Sequence, residues 1–307
     1  IATSSNKPDR LYIGSQYLHR SEDMGDGWNI ISPDLTTNDP NKQNQEESGG
    51  LSMDNSGAEN HTTIFTIAES PLNENIVWVG TDDGNIQVTT DGGKTWENTI
   101  SNVQGVPENT WVYHIEASSH DSNTAYVVFD GHTSGDMAPY AYKTTDLGKT
   151  WKNIIPSNDV YGFTRNIQED YVNPDLLFLG TEFGLYITVD GGKNWAKFTK
   201  NMPSVAVHFI DLQKQTNDLV MGTHGRGVII IDDISPLREI KSETLSSKLH
   251  FFSKDSYSMS DYSGFSDNFG RETQFVGENP SFDCEIKNLL PKRHTFGKMT
   301  FEIHDMD

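Results

Sequence analysis

Three shortages in this chain of 307 residues each close off a class of explanation. It has one cysteine, Cys284, so no disulfide can form within it. Basic residues are scarce: 23 Lys and Arg stand against 44 Asp and Glu, a formal net charge of −21. A surface so acidic repels phosphate backbones, which argues against nucleic acid as a partner, and it carries no Lys/Arg cluster for anionic lipid. No apolar run approaches the ~20 residues that a membrane-spanning helix needs. A nucleophile elbow, a phosphate-cradling glycine loop, a Cys/His pair and the His-x-His or His-Glu-x-x-His spacing of metal sites are missing as well.

What the chain has is a repeat. Ser21-x-Asp23-x-Gly25-x-x-Trp28 is written again from Thr89 (Asp91, Gly93, Trp96), from Thr144 (Asp146, Gly148, Trp151) and from Thr188 (Asp190, Gly192, Trp195). Each copy holds the residues of a tight hairpin. Asp hydrogen-bonds the turn backbone, Gly accepts positive φ, and the Ser or Thr hydroxyl holds the turn from its other side. The Trp then buries its ring on a neighbouring element and needs a partner for its N–H. The four aspartates lie 68, 55 and 44 residues apart, against about 40–50 residues for a four-stranded propeller blade with loop insertions added.

The rest of a blade is legible before each box. In the second copy 63–69, 76–80, 85–89 and 96–100 read as four successive strands, with turns at 70–75 and 81–84. The order recurs over 112–154, 164–198 and 207–232, the last without a box, and 1–31 fits one more blade. The expected fold is all-β: a β-propeller of five four-stranded blades over 1–236, part of a larger propeller. A connector follows at 237–272, with a short helix or linker at 239–247, and then the start of a truncated β-sandwich at 273–307, with strands at 281–287 and 299–304. Ile1 is no initiator and Asp307 ends abruptly, so the chain reads as a piece of a longer protein.

These boxes, with the phrases SGGLSMDNSGAENHTTI (48–64), GTDDGNIQV (80–88), DGHTSGDMAPYAYKTTDLGKTW (130–151), LLFLGTEFGLYITVDGGKNW (176–195) and LVMGTHGRGVIIIDDISPLRE (219–239), resemble the Asp-box or BNR-repeat β-propellers. That family includes sialidases, sortilin-type propellers and bacterial proteins labelled glycosyl hydrolases. The resemblance covers roughly residues 1–240. It implies an extracytoplasmic location, in the periplasm, on the outer membrane surface or secreted. It also implies an immunoglobulin-like sandwich after the propeller, and a place in a larger cell-surface assembly.

In a meander of strands A to D, the B–C turns and D–A connections share one face and the C–D hairpins the other. The box residues Asp23, Trp28, Asp91, Trp96, Asp146, Trp151, Asp190 and Trp195 are therefore read as structural, a bound calcium ion being the alternative. The opposite face collects Asp82, Asp83, His132 with Asp136, Glu182, and His224 with Arg226 from B–C turns, and His61, Trp111, His114 and His208 from strand entries. The long 32–61 connection adds Glu59. Binding of a glycan, peptide or partner protein would use His61, Trp111, His114, His132, Asp136, His208, His224 and Arg226, with Trp111 as a stacking platform and Arg226 as a carboxylate clamp. Glycoside hydrolysis would need two carboxylates about 5–10 Å apart, drawn from Glu59, Asp83 and Glu182. A metal site would draw on His61, His132 and His224. Against these stand plainer roles: turn acids are usually solvated, strand-entry histidines cap backbone groups, and Trp111 can pack between blades. Of the seven arginines, Arg10, Arg20, Arg165, Arg226, Arg238, Arg271 and Arg293, only Arg226 falls naturally on this face. The three convergent arginines of the sialidases are not met. The expectation is a binding propeller without a cofactor, with hydrolysis as the alternative.

Overall fold

The computed structural model describes residues 1–43, 61–155, 159–253 and 286–302. The chain divides into two units, Ile1–Ile234 and Ser235–Asp307. The first is five antiparallel meanders, each with its strands in chain order. Blade 1 comprises Ala2–Thr3, Leu11–Gly14, Leu18–Ser21 and Asn29–Ile30, and blade 2 comprises Ile64–Ser70, Asn73–Thr81, Ile86–Thr89 and Glu97–Asn98. Blade 3 comprises Trp111–Ala117, Ala125–Asp130, Tyr140–Thr144 and Lys152–Asn153. Blade 4 comprises Thr164–Glu169, Leu177–Thr181, Gly184–Thr188 and Ala196–Lys197. Blade 5 has three strands, Val207–Gln213, Asp218–Thr223 and Val228–Ile231. The first strands of blades 2 to 5 pack on one another, so strand A is innermost. The outer strands are only two residues long, shorter than the sequence suggests: 96–100 supplies Glu97–Asn98 and then a single 3-10 turn.

The second strands of blades 2 to 4 are covered on both sides by neighbouring blades, so each reads as an unbroken apolar run rather than an alternation. Val77, Trp78 and Val79, then Tyr126 to Phe129, then Leu176 to Leu179 are all buried. Blade 5 departs from this. Its face toward blade 4 is buried at Ile210, Leu219 and Met221, while its other face leaves Phe209, Val228 and Ile230 58%, 65% and 54% exposed.

The boxes are C–D hairpins, as the spacing predicts. In the third, Thr144 Oγ1 donates to Asp146 Oδ1 (2.8 Å) and accepts from Gly148 N–H (2.9 Å). Asp146 in turn accepts from Thr150 N–H (2.9 Å) and Thr150 Oγ1 (2.7 Å). Each later box also grips the blade before it. Trp96 Nε1 donates to Ile31 O (3.1 Å), Trp151 Nε1 to Thr99 Oγ1 (3.3 Å) and Trp195 Nε1 to Ile154 O (2.7 Å). The glycine is demanded by the same contact. Gly93 has φ +100°, and a Cβ there would lie 2.5 Å from Ile31 O. Trp28, in the first box, is 41% exposed.

A second lock sits where strand A ends. Glu69 accepts from Ser4 Oγ (2.7 Å), Tyr12 OH (2.6 Å) and Asn6 Nδ2 of blade 1. Glu169 of blade 4 accepts from Ser118 Oγ (2.8 Å), Ser119 N–H (2.9 Å) and Tyr126 OH (2.9 Å) of blade 3. Between blades 2 and 3 the equivalent positions are Trp78 and Ala117, and the lock becomes an apolar contact, with Trp78 edge-on to Trp151 at 5.7 Å.

In the second unit, short helices occupy Ser235–Arg238 and Ser242–Ser246, and His250–Phe251 pairs with Asn288–Leu289. Residues 254–285 and 303–307, with the two ends of the expected sandwich, lie outside the described residues. Met299–Glu302 carries no strand.

Candidate functional site

Four inner strands share one irregularity. The pairing of strand A with strand B slips by one residue between Ile64 and Thr66, between Val112 and His114, between Thr164 and Asn166, and between Val207 and Phe209. The extra residues are Phe65, Tyr113, Arg165 and His208. A β-bulge re-aims the side chain of its extra residue, and all four of these line the space at the centre of the blades.

Phe65, Tyr113 and Arg165 form a stack from blade to blade. Phe65 lies 5.4 Å from Trp111 and 5.0 Å from Tyr113, ring centroid to centroid. The Arg165 guanidinium sits 4.5 Å over Tyr113 and 4.7 Å over Phe163. Phe163 in turn stacks on His132 at 4.7 Å. Asp130, fully buried, ties this end together: it bonds Arg165 Nη1 at 2.7 Å and His132 Nδ1 at 2.8 Å. His208 stacks on His224 at 5.2 Å, and burial, then Arg165 and His224, hold its pKa below the ordinary value.

Trp111, His132, His208 and His224 thus belong to this cluster. Asp136 stands beside it, accepting from Tyr140 OH at 2.7 Å. Arg226 is exposed at the tip of the 223–227 turn. Glu182 is half-buried, next to Phe163, whose carbonyl accepts from its N–H at 3.1 Å. The acids of the blade 2 turn are engaged in holding chain. Asp83 accepts from Thr37 N–H (2.6 Å), Thr37 Oγ1 (2.7 Å) and Thr81 Oγ1, and so pins the start of the 32–61 connection. Asp82 accepts from Thr63 N–H (2.7 Å) with His61 3.7 Å away, and burial raises its pKa. Glu59 lies outside the described residues. Among the described residues no group of three or more His, Cys, Asp or Glu is placed to hold a metal ion, and no helix is long and apolar enough to cross a membrane.

His114 is not at the strand entry. It stands three residues into strand A and faces the central space, as does Glu116. Both are half-buried beside that space. Burial lowers the His114 pKa to about 4. Burial, with Glu169 and Asp211 near, raises Glu116 to about 8, against the 2.6 Å hydrogen bond from Gln168 Nε2.

The sequence reading misses Phe65, Tyr113, Phe163, Asp130 and Glu116, and gives Arg165 no place on this face. One signal was available. Laid in blade register, Phe65, Tyr113, Arg165 and His208 follow Ile64, Val112, Thr164 and Val207 and form a single column.

The BNR/Asp-box repeat family model matches residues 87–98, the second box. The chain is 26% identical over 168 residues to the oligoxyloglucan-reducing end-specific xyloglucanase of Emericella nidulans, covering 50% of this chain and 17% of that protein. Among solved structures it is similar to an ancestral GH74 enzyme (TM-score 0.53, 17% identity, 72% of this chain and 27% of that one). It is also similar to the GH74 enzyme of Niastella koreensis (TM-score 0.51, 15% identity, 73% and 32%). At these identities the structural likeness is one of fold, and the chain spans under a third of each relative's length.

Proposed function

We propose that this BNR/Asp-box β-propeller binds a neutral glycan chain on the face made by its B–C turns and inter-blade connections. The observation that carries the reading is the continuous stack Trp111–Phe65–Tyr113–Arg165–Phe163–His132. Aromatic faces receive the C–H faces of sugar rings, and several in a row suit a polymer better than a single small molecule. Neutrality follows from charge. The chain is acidic overall, Arg165 is already paired with Asp130, and Arg226 is the exposed cation near the turn tips. The similarity to a xyloglucanase supports a β-linked plant-type polysaccharide as the first candidate, and a polymeric ligand of that kind goes with an extracytoplasmic location.

The test is retention of the protein on immobilised xyloglucan. Trp111→Ala and Phe65→Ala should each weaken retention by up to about tenfold, from the roughly 0.5–1.5 kcal/mol that such ring contacts contribute. Retention unchanged in both variants would sink the reading.

Hydrolysis is the second reading, favoured by the same similarity. Of the acids expected to serve it, Asp83 already accepts three hydrogen bonds, so Glu182 is the described candidate. Reducing-sugar release from xyloglucan by the wild-type chain, abolished in Glu182→Gln, would establish that reading over simple binding.

A further inference from the structure

The B–C loop of blade 3 is closed on itself. Ser134 N–H and Asp136 N–H both donate to Gly131 O (2.9 and 3.0 Å), Gly135 takes φ +82°, and a Cβ on Gly131 would lie 2.9 Å from Asp136 Cβ. That closure holds His132 in one place, and a buried carboxylate fixes its ring. Asp130 Oδ1 accepts from His132 N–H at 2.9 Å and lies 2.8 Å from His132 Nδ1, while Asp130 Oδ2 lies 2.7 Å from Arg165 Nη1. Phe163 covers one face of the imidazole at 4.7 Å.

Asp130 decides which ring nitrogen carries the proton. A carboxylate beside a guanidinium only accepts, so His132 Nδ1 donates to it. In the neutral ring Nε2 is then an acceptor. It makes no hydrogen bond among the described residues. Nor is it enclosed: the His132 side chain is 33% exposed where that of Asp130 is 0%. His114 Nδ1 and His61 Nε2, by contrast, are unpaired and buried.

This open acceptor stands at the outer end of the series Trp111–Phe65–Tyr113–Arg165–Phe163–His132. Its complement is a donor on a group that also packs on rings. A sugar offers both, with C–H faces for the rings and O–H groups at its edge. An ionised carboxylate or sulfate offers acceptors only. An Asp–His pair can also act as a general base, but Nε2 then faces a nucleophile, and among the described residues no hydroxyl or thiol bonds it.

We propose that His132 reads a hydroxyl of the glycan by accepting its hydrogen bond at Nε2, and that Asp130 is the positioning residue that keeps Nε2 an acceptor. This rests on the glycan-binding role proposed for that face and adds the contact that selects for a hydroxyl.

The test has two arms on the full chain. NMR of the labelled imidazole nitrogens, at about pH 8 and so above the ordinary histidine pKa of about 6.5, should show His132 as the Nδ1–H tautomer, its signals assigned by their loss in His132→Phe. Asp130→Ala should move it toward the Nε2–H form that an unpaired imidazole prefers; should that variant not fold, the wild-type spectrum alone decides. Calorimetric titration with a xyloglucan oligosaccharide reads the contact itself. His132→Phe keeps a ring against Phe163 and deletes the acceptor, and should weaken binding about three- to tenfold. His132→Gln restores an acceptor and should recover part of that loss. An Nε2–H tautomer in the wild type overturns the proposal. So does affinity unchanged in His132→Phe, or an equal loss in both variants, and where Trp111→Ala still weakens binding the glycan reading survives. No binding by the wild-type chain overturns that reading and this contact with it.

Discussion

The two ends of each inner strand handle polar groups in opposite ways. At the end near the Asp-box hairpins, the box and lock carboxylates are satisfied by nearby chain, although Trp78 Nε1 is buried there without a partner. Asp146 draws its donors from its own loop, and Glu69 and Glu169 each collect three from the blade before. At the other end and along the axis, bulges push aromatic and cationic side chains inward, and His114, Arg165 and Asn166 keep unpaired atoms. Closed hydrogen bonding makes a scaffold, and open hydrogen bonding makes a place for a ligand. The repeated aspartates, the most conspicuous residues in the chain, belong to the closed end.

The largest blow to this contrast would come at the closed end. Glu169→Ala strands Ser118 Oγ, Ser119 N–H and Tyr126 OH in a buried interface, and should cost about 3 kcal/mol. In thermal melts that is a Tm fall of roughly 6–12 °C. A fall below about 2 °C would show that the lock is not a structural element. Next comes Trp111→Ala at the open end, which should cost up to about tenfold in glycan retention while Tm stays nearly unchanged. A large Tm loss there would make Trp111 an inter-blade packing residue instead.

Glu116 sharpens the contrast through pH. Its folded pKa, about 8, lies above the ordinary 4.5, so the folded state holds a proton that the unfolded state has released between those values. Stability on this account falls as pH rises from 4.5 toward 8. Glu116→Gln should remove that part of the fall, raising Tm at pH 8 by about 2–4 °C relative to its effect at pH 5. An equal effect at both pH values would show that Glu116 does not titrate in this window. The smallest effect is at a box. Hydrogen bonds from Thr95 N–H and Thr95 Oγ1 lower the Asp91 pKa to about 2 from 3.8. Its contribution is present above 3.8 and is lost as pH falls through 2. Asp91→Asn should flatten the melting profile only in that acid range, and a change in glycan retention would break the division between the two ends.

The boxes and the blade order are legible in the sequence because turn chemistry is local: Thr144, Asp146 and Gly148 make their bonds within a few residues. The double-sided burial of the second strands is legible for a similar reason, as an unbroken apolar run. The bulge column is hidden because a bulge is an event between two strands and has no composition of its own. The Glu169–Tyr126 lock is hidden because its parts lie 43 residues apart. Asp83 read as an open turn acid because nothing in the sequence says that Thr37 folds back onto it. His114 read as a rim residue because strand A begins at Trp111, three residues earlier than a rim position would require.

The account rests on ligand recognition belonging to the bulged, aromatic end and not to the Asp-box hairpins. The direct measurement is xyloglucan retention of Trp111→Ala and Asp146→Ala side by side with the wild-type chain, each checked for folding by its melt. The predicted result is a loss of up to about tenfold for Trp111→Ala with Asp146→Ala unchanged. Equal losses, or a loss confined to Asp146→Ala, would contradict it.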